Sequence, residues 1–333
     1  MAFWKIIKTK EKEKYLPLAW DLGPSYARLL TLKRKGDEVY LDSFISCPLP
    51  PGLITGSLTK NNFQDSDKLQ QILKALMEKS DQKVWGGQQA ALAISDFSIR
   101  TFFYDLETMP SDPKDTRELL RWRAKDLLPY PAEEAVVDFQ LLGTFSKDGK
   151  SFYRFFCIFL RRDILWQYED LLHSLGFFPT QVLCSSLGVY NLFVDYLTFK
   201  EGAEHTWVLV NLEPGTTTIM VADNGIIGYF RSLREEEEEE EGALVTPSRL
   251  ARELADSLHY YLSSHTKKTV NTIYLAGGRA AQPGLTAELA QALNLKVETV
   301  DLKRVARVAP HIPARDENLL PAAPGLGLAA YVK

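Results

Sequence analysis

The run Leu18-Ala19-Trp20-Asp21-Leu22-Gly23-Pro24-Ser25-Tyr26-Ala27-Arg28-Leu29-Leu30-Thr31-Leu32 is the stretch on which the fold turns. Two apolar segments flank an acidic, glycine-bearing turn. Gly23 allows a positive φ and Pro24 stiffens the exit, so the segments are expected to fold back as a hairpin. The carboxylate of Asp21 would then lie beside a short arc of backbone N–H groups and the hydroxyls of Ser25 and Tyr26. Such an arc suits phosphate oxygens, and the acid suits a Mg²⁺ ion shared through water. Turns of the D-x-G kind are also common in ordinary hairpins, so the chemical reading requires a partner loop.

The second half of the chain supplies one. Thr206–Leu212 reads as a strand, Glu213-Pro214-Gly215-Thr216 as a turn and Thr217–Ala222 as the returning strand. Asn224-Gly225 is a tight-turn signal before a third strand, Ile226–Phe230. The first hairpin is likewise followed by a strand, Val39–Ile45, so the layout reads as an internal duplication. After each set comes a helix with one apolar face (Asp65–Lys79 and Pro247–Leu262) and a buried strand (Gln89–Ile94 and Val270–Leu275). This order makes an α/β layer architecture. Two facing hairpins with small hydroxyl residues can grip phosphates, here with Thr216 and Thr217 in the second. The acid position of that hairpin holds Asn211, whose amide adds no negative charge for a cation. Gly277-Gly278, directly after the last strand, lets a ligand or helix approach the backbone closely. The helix that follows, through Leu293, would turn N–H groups toward such a ligand.

Between the halves the texture changes. A strand Ile99–Leu106 leads to a helix starting near Ser111 or Asp112, which carries Leu119, Leu120, Trp122, Ala124, Leu127 and Leu128. Pro129-Tyr130-Pro131 stops it. Val136–Leu142 and Phe152–Leu160 pair across a Lys147–Lys150 turn, and a helix Asp163–Leu175 follows. These form a compact α+β module. The expected domains are therefore 17–96, the inserted module 97–183 and a second lobe 184–333, preceded by a flexible basic segment 1–16.

The 333-residue length fits two lobes. The net charge of −4 is more than accounted for by the seven glutamates Glu235–Glu241, expected to form a solvated loop. The remainder is near neutral, which excludes a basic nucleic-acid binder. Three distant cysteines, Cys47, Cys157 and Cys184, form neither a metal spacing nor a disulfide framework and fit a reducing compartment. No apolar run is long enough to span a membrane, and the first residues lack the apolar centre and cleavage site of a signal peptide. The expected location is cytoplasmic.

Taken together, these stretches resemble the PilM family, actin-like cytoplasmic proteins of type IV pilus assembly, from about Leu18 to Ala330. The most specific stretch is R-W-R-A-K-D-L-L-P-Y-P, Arg121–Pro131, continuing to Val137-Asp138-Phe139-Gln140-Leu141-Leu142-Gly143. It resembles the helix, proline-aromatic-proline stop and D-F-Q-like strand of the extra subdomain shared with FtsA-type actins. Pro48–Gly52 resembles the family's P-L-P-P-G, Ile273–Leu285 its adenosine-loop strand and turn, and the closing G-L-G-L-A its final segment.

The resemblance implies an actin-like, ribonuclease H-like duplicated α/β fold, with two lobes around a nucleotide cleft and an inserted FtsA-type α+β subdomain. It implies ATP and Mg²⁺ as ligands. Asp21, Gly23, Ser25, Tyr26 and Arg28 fall on the first phosphate loop, with Asp21 the metal ligand. Asn211, Gly215, Thr216 and Thr217 fall on the second, and Gly277, Gly278 and Arg279 on the adenosine loop. It also implies a partner, the cytoplasmic N-terminal peptide of a PilN-like inner-membrane protein, held near Trp122, Leu128, Pro129 and Tyr130, which would place the chain at the inner membrane. The sequence departs from the family at Asn211, usually an acid, and at Glu213, usually a glycine. The glutamate run displaces a G-G and leaves Gly242 as its remnant. These departures point to ATP binding with weak or no hydrolysis, and no catalytic residue is assigned. A scaffold like the type II secretion L protein, or an adaptor that binds no nucleotide, are the alternatives. A sugar or metabolite kinase of the same superfamily would need a catalytic base that the sequence does not offer.

Overall fold

A computed structural model describes residues 15–35, 38–80, 87–202, 205–234, 246–265, 268–312 and 319–330. The basic N-terminal segment, up to residue 14, and the Glu235–Glu241 run lie outside the described residues. The chain forms two units, one of residues 1–32, 43–185 and 328–333, the other of 33–42 and 186–327.

The first unit is built on a sheet of β1 (Leu18–Leu22), β2 (Tyr26–Lys35), β3 (Glu38–Pro48), β4 (Gln89–Ile94) and β8 (Phe178–Cys184), in the order β3-β2-β1-β4-β8. β1 and β2 are the expected antiparallel hairpin, with Asp21 opposite Arg28. β1–β4 and β4–β8 are parallel. The central strand β1 is buried along its whole length, as expected of a strand covered on both faces. Asp65 caps α1 (Ser66–Glu78) by accepting from the Lys68 N–H at 2.9 Å, and Leu69, Leu73 and Leu76 form its buried face.

The inserted module is a three-stranded antiparallel sheet of β5 (Ile99–Leu106), β6 (Ala135–Lys147) and β7 (Lys150–Arg161), ordered β5-β7-β6, with α2 (Pro113–Ala124) packed against it. Leu120, Ala124, Leu128, Tyr130, Val137, Phe155, Cys157 and Phe159 make its core. Two expectations are corrected here. α2 ends at Ala124 and does not reach Leu128, because the Ala124 carbonyl accepts from both the Leu127 and Leu128 N–H groups, at 2.9 and 3.1 Å, and closes the last turn. The chain also leaves the module earlier than residue 183. α3 (Arg162–Ser174) packs on α1 and β8, and β8 joins the first sheet beside β4.

The second unit repeats the first unit's plan. β9 (Thr206–Glu213), β10 (Thr216–Asp223) and β11 (Ile226–Arg234) form an antiparallel meander. β12 (Val270–Ala276) and β13 (Lys296–Thr299) add parallel strands, giving the order β11-β10-β9-β12-β13. The duplication read from the sequence is thus present in topology. This unit also holds the helices α5 (Pro247–Ser264), α6 (Leu285–Leu293) and α7 (Ala323–Ala329). A short strand β14 (Arg307–Val308) runs parallel to Tyr40 and Leu41 of β3. The helix α4 (Ser185–Glu201) has no counterpart in the sequence-based reading. Its Leu187, Val189, Tyr190, Leu192, Phe193, Val194 and Leu197 are all buried, so it lacks the apolar stripe that marks a surface helix. α7 lies so close to it that a Cβ on Gly327 would overlap the Gly188 carbonyl.

Candidate functional site

In the first hairpin the Gly23 N–H donates to the Tyr26 carbonyl at 3.0 Å and closes the turn. The Tyr26 ring folds back over it, and a Cβ on Gly23 would fall inside that ring. The Arg28 guanidinium lies on the Tyr26 ring, 3.5 Å from its centroid. Arg28 Nη1 also donates to Asp21 Oδ2 at 3.0 Å, and the Ser185 hydroxyl donates to Asp21 Oδ1 at 2.7 Å. Asp21 has no solvent exposure and Arg28 is buried. The Ser25 carbonyl accepts from the Leu49 N–H at 3.0 Å, which fastens the P-L-P-P-G segment to the turn. The structure therefore brings Asp21, Gly23, Ser25, Tyr26 and Arg28 together, as a closed cluster.

A divalent metal does not fit Asp21 in this arrangement. Each carboxylate oxygen already accepts a hydrogen bond, one of them from a cation, and the group meets no water. Mg²⁺ needs near-octahedral oxygens and keeps several waters. Among the described residues no three carboxylate, imidazole or thiol side chains converge as a metal site.

In the second unit the turn is made by Pro214 and Gly215, the latter at φ 78°, which suits the third position of a type II turn. Thr216 and Thr217 open β10 and are buried, as is Glu213. Asn211 Nδ2 donates to the Ser186 hydroxyl at 2.9 Å. Asn211 Oδ1 and Thr216 Oγ1 are buried polar atoms without a hydrogen-bond partner. Gly277, at φ 89°, packs tightly on this loop: a Cβ there would lie 2.5 Å from the Leu212 carbonyl oxygen and 2.6 Å from Asn211 Oδ1. The Arg279 N–H donates to the same Leu212 carbonyl at 3.0 Å. The Pro214–Gly215 turn and the Gly277–Arg279 turn are thus one assembly, and Gly277 serves close backbone approach. Beside it, at the carboxyl ends of β12 and β13, opens a cavity of 420 Å³ lined by Ala280, Gln282, Pro283, Thr286, Thr299 and Asp301, among others. That volume falls within the range of small-molecule sites.

The four residues assigned to the partner do not share one surface. Trp122 is 59% exposed and Pro129 is exposed, whereas Leu128 and Tyr130 are core residues at 9% and 7%. The early end of α2 accompanies the split: Leu128 turns inward and Leu127 is left at 57% exposure. Sequence reasoning also missed Ser185 and Ser186. Their signal was a pair of small hydroxyl residues between an apolar strand and an apolar run, the usual entry to a helix.

The duplicated sheets define an actin-like fold, and solved structures agree. One is a chain of a "PilM-PilN type IV pilus biogenesis complex", 19% identical, with 94% of this chain and 96% of that chain covered and a TM-score of 0.73. Another is a Bacteroides thetaiotaomicron protein described as having an actin-like ATPase fold and unknown function, 12% identical over 89% of this chain and 94% of that one, TM-score 0.51. The cytoplasmic domain of EpsL of the Vibrio cholerae type II secretion system is 12% identical over 92% of this chain and 93% of that one, with a TM-score of 0.45. Residues 238–330 match the family model of the type IV pilus assembly protein PilM. The likeness to PilM read from the sequence is thus met by a sequence model in the second unit and by the fold of the whole. Among the described residues no helix is long and apolar enough to cross a membrane.

Proposed function

We propose that this chain is an actin-fold adaptor of type IV pilus assembly. It captures the cytoplasmic N-terminal peptide of a PilN-like inner-membrane protein, stays at the cytoplasmic face of that membrane through this partner, and binds ATP as a conformational ligand with little or no hydrolysis. The observation that carries this reading is the likeness to PilM along nearly the whole chain, inserted module included. The exposed Trp122 and Leu127 on that module each offer an apolar anchor for an extended peptide. The cavity beside the Gly277 turn supports the nucleotide part.

Titrating a synthetic N-terminal peptide of a PilN-like protein into the full chain tests the adaptor role. Saturable binding, weakened about tenfold in Trp122→Ala, is expected. No binding would remove the adaptor reading and favour a small-molecule enzyme. The second reading, a scaffold that binds no nucleotide, is favoured by the closed Asp21 cluster. Calorimetry with ATP separates the two, since absence of heat would leave only the scaffold.

A further inference from the structure

We infer that the first hairpin carries its own cation: Arg28 stands where a divalent metal would have to bind Asp21, so any nucleotide this chain takes up is bound independently of Mg²⁺. The inference rests on the nucleotide part of the proposed function and replaces the metal expected at Asp21. Three observations carry it. Asp21 has a hydrogen bond on each oxygen, from Arg28 Nη1 at 3.0 Å and from the Ser185 hydroxyl at 2.7 Å. The guanidinium is buried and stacked 3.5 Å from the Tyr26 ring centroid, so it is fixed by packing as well as by charge. The Tyr26 ring lies directly against Gly23, where even a Cβ would overlap it, so the turn has no room beside that glycine for a hydrated ion.

A metal ion could reach Asp21 only by expelling Arg28 into an interior with no other carboxylate on this hairpin. That exchange strips one buried charge of its partner to satisfy another. The guanidinium balances the Asp21 carboxylate, so the hairpin offers no net negative charge to a divalent cation.

The test uses the full chain and Mn²⁺, whose free ion is counted by electron paramagnetic resonance. Wild type and Asp21→Asn are expected to take up Mn²⁺ indistinguishably. Arg28→Ala is expected to gain one site per chain that the double variant with Asp21→Asn lacks. Uptake of one Mn²⁺ by wild type that Asp21→Asn abolishes would overturn the inference, and so would a folded Arg28→Ala variant that gains no site. If Arg28→Ala does not fold, the wild-type and Asp21→Asn pair decides alone. ATP affinity measured in EDTA and in Mg²⁺ is expected to agree within twofold; a tenfold gain with Mg²⁺ would overturn the inference. ATP that fails to bind under either condition ends the nucleotide part of the proposed function, while the Mn²⁺ result still decides the question of the metal.

Discussion

Asp138 lies in the D-F-Q strand β6, almost wholly buried, with its Oδ2 unpartnered. Burial pushes its carboxyl from the ordinary 3.8 up to about 8, against the smaller opposing pull of the Phe139 N–H and of Arg117. The Arg117 guanidinium, 3.7 Å away and partly exposed, is a weak counter-charge. Below about pH 4 both the folded and the unfolded chain hold the proton, and the group costs nothing. From there to about 8 the unfolded chain has released it and the folded chain has not, so stability falls as pH rises; above about 8 the loss is constant. At about 1.4 kcal/mol per pH unit, the loss is about 2 kcal/mol at pH 5 and at most about 6 kcal/mol at pH 8.

Asp138→Asn keeps the shape and cannot ionise. A buried amide adds an unmet donor worth about 1–3 kcal/mol, but that cost does not change with pH. The diagnostic is therefore the change in the gap between variant and wild type, which should move by about 4 kcal/mol in the variant's favour from pH 5 to pH 8. Because the chain has two units, a single global transition is a poor measure. Protection factors of the β6 and β7 amides at the two pH values report the module directly. A carbon-13 titration of the Asp138 carboxyl should show its midpoint near 8. A gap that stays within about 1 kcal/mol across this range would refute the argument.

Leu128→Ala should cost about 2–5 kcal/mol in urea unfolding of the module, as expected for truncating a core leucine, whereas the exposed Trp122 should tolerate the same change with little loss. Gly277→Ala should cost about 2 kcal/mol or more, because the new Cβ meets the Leu212 carbonyl at 2.5 Å and φ is 89°; thermal melts and exchange at the β9 and β12 amides would register it. Asn211→Asp should lower stability by about 3 kcal/mol, since it places a carboxylate in a buried site and removes the amide donor to Ser186. An unchanged melting temperature would mean that the site opens to solvent.

The elements with local signals were legible. β4 was expected at Gln89–Ile94 and is found there, and the helix expected over Asp65–Lys79 is α1, Ser66–Glu78. The repeated hairpin and following strand announced the duplicated sheet, because turn chemistry and apolar runs are both short-range features. What was not legible depends on distance or on uniform burial. Ser185 lies 164 residues from Asp21, and no spacing rule connects them. α4 is buried all round over Ser185–Tyr190 and its apolar residues do not keep to one face, so it shows no helical period. The end of α2 was misplaced because Leu127 and Leu128 continue the apolar pattern, while carbonyl geometry at Ala124 ends the helix. β8 follows the inserted module in sequence and pairs with β4, a strand from before it. For the candidate site, the sequence named residues that meet at one turn but not their closure: nothing in D-L-G-P-S-Y-A-R says that the tyrosine covers the glycine or that the arginine neutralises the acid.

The comparison between the two duplicated hairpins explains why that closure is local to the first. Asp21 faces Arg28 across β1 and β2, and the corresponding pair across β9 and β10 is Asn211 and Thr218. A charged residue is matched by a cation in one copy, and a neutral amide by a neutral hydroxyl residue in the other. The serines of α4 follow the same rule. Ser185 donates to Asp21, which can only accept, and Ser186 accepts from the Asn211 amide, which can donate. Asn211 is therefore more than a lost acid, since its partners across the sheet and on α4 are those of a neutral group. Restoring the acid alone would recreate the charge without the cation that balances it at Asp21. A metal-binding second loop would have to be rebuilt at Asn211 and Thr218 together.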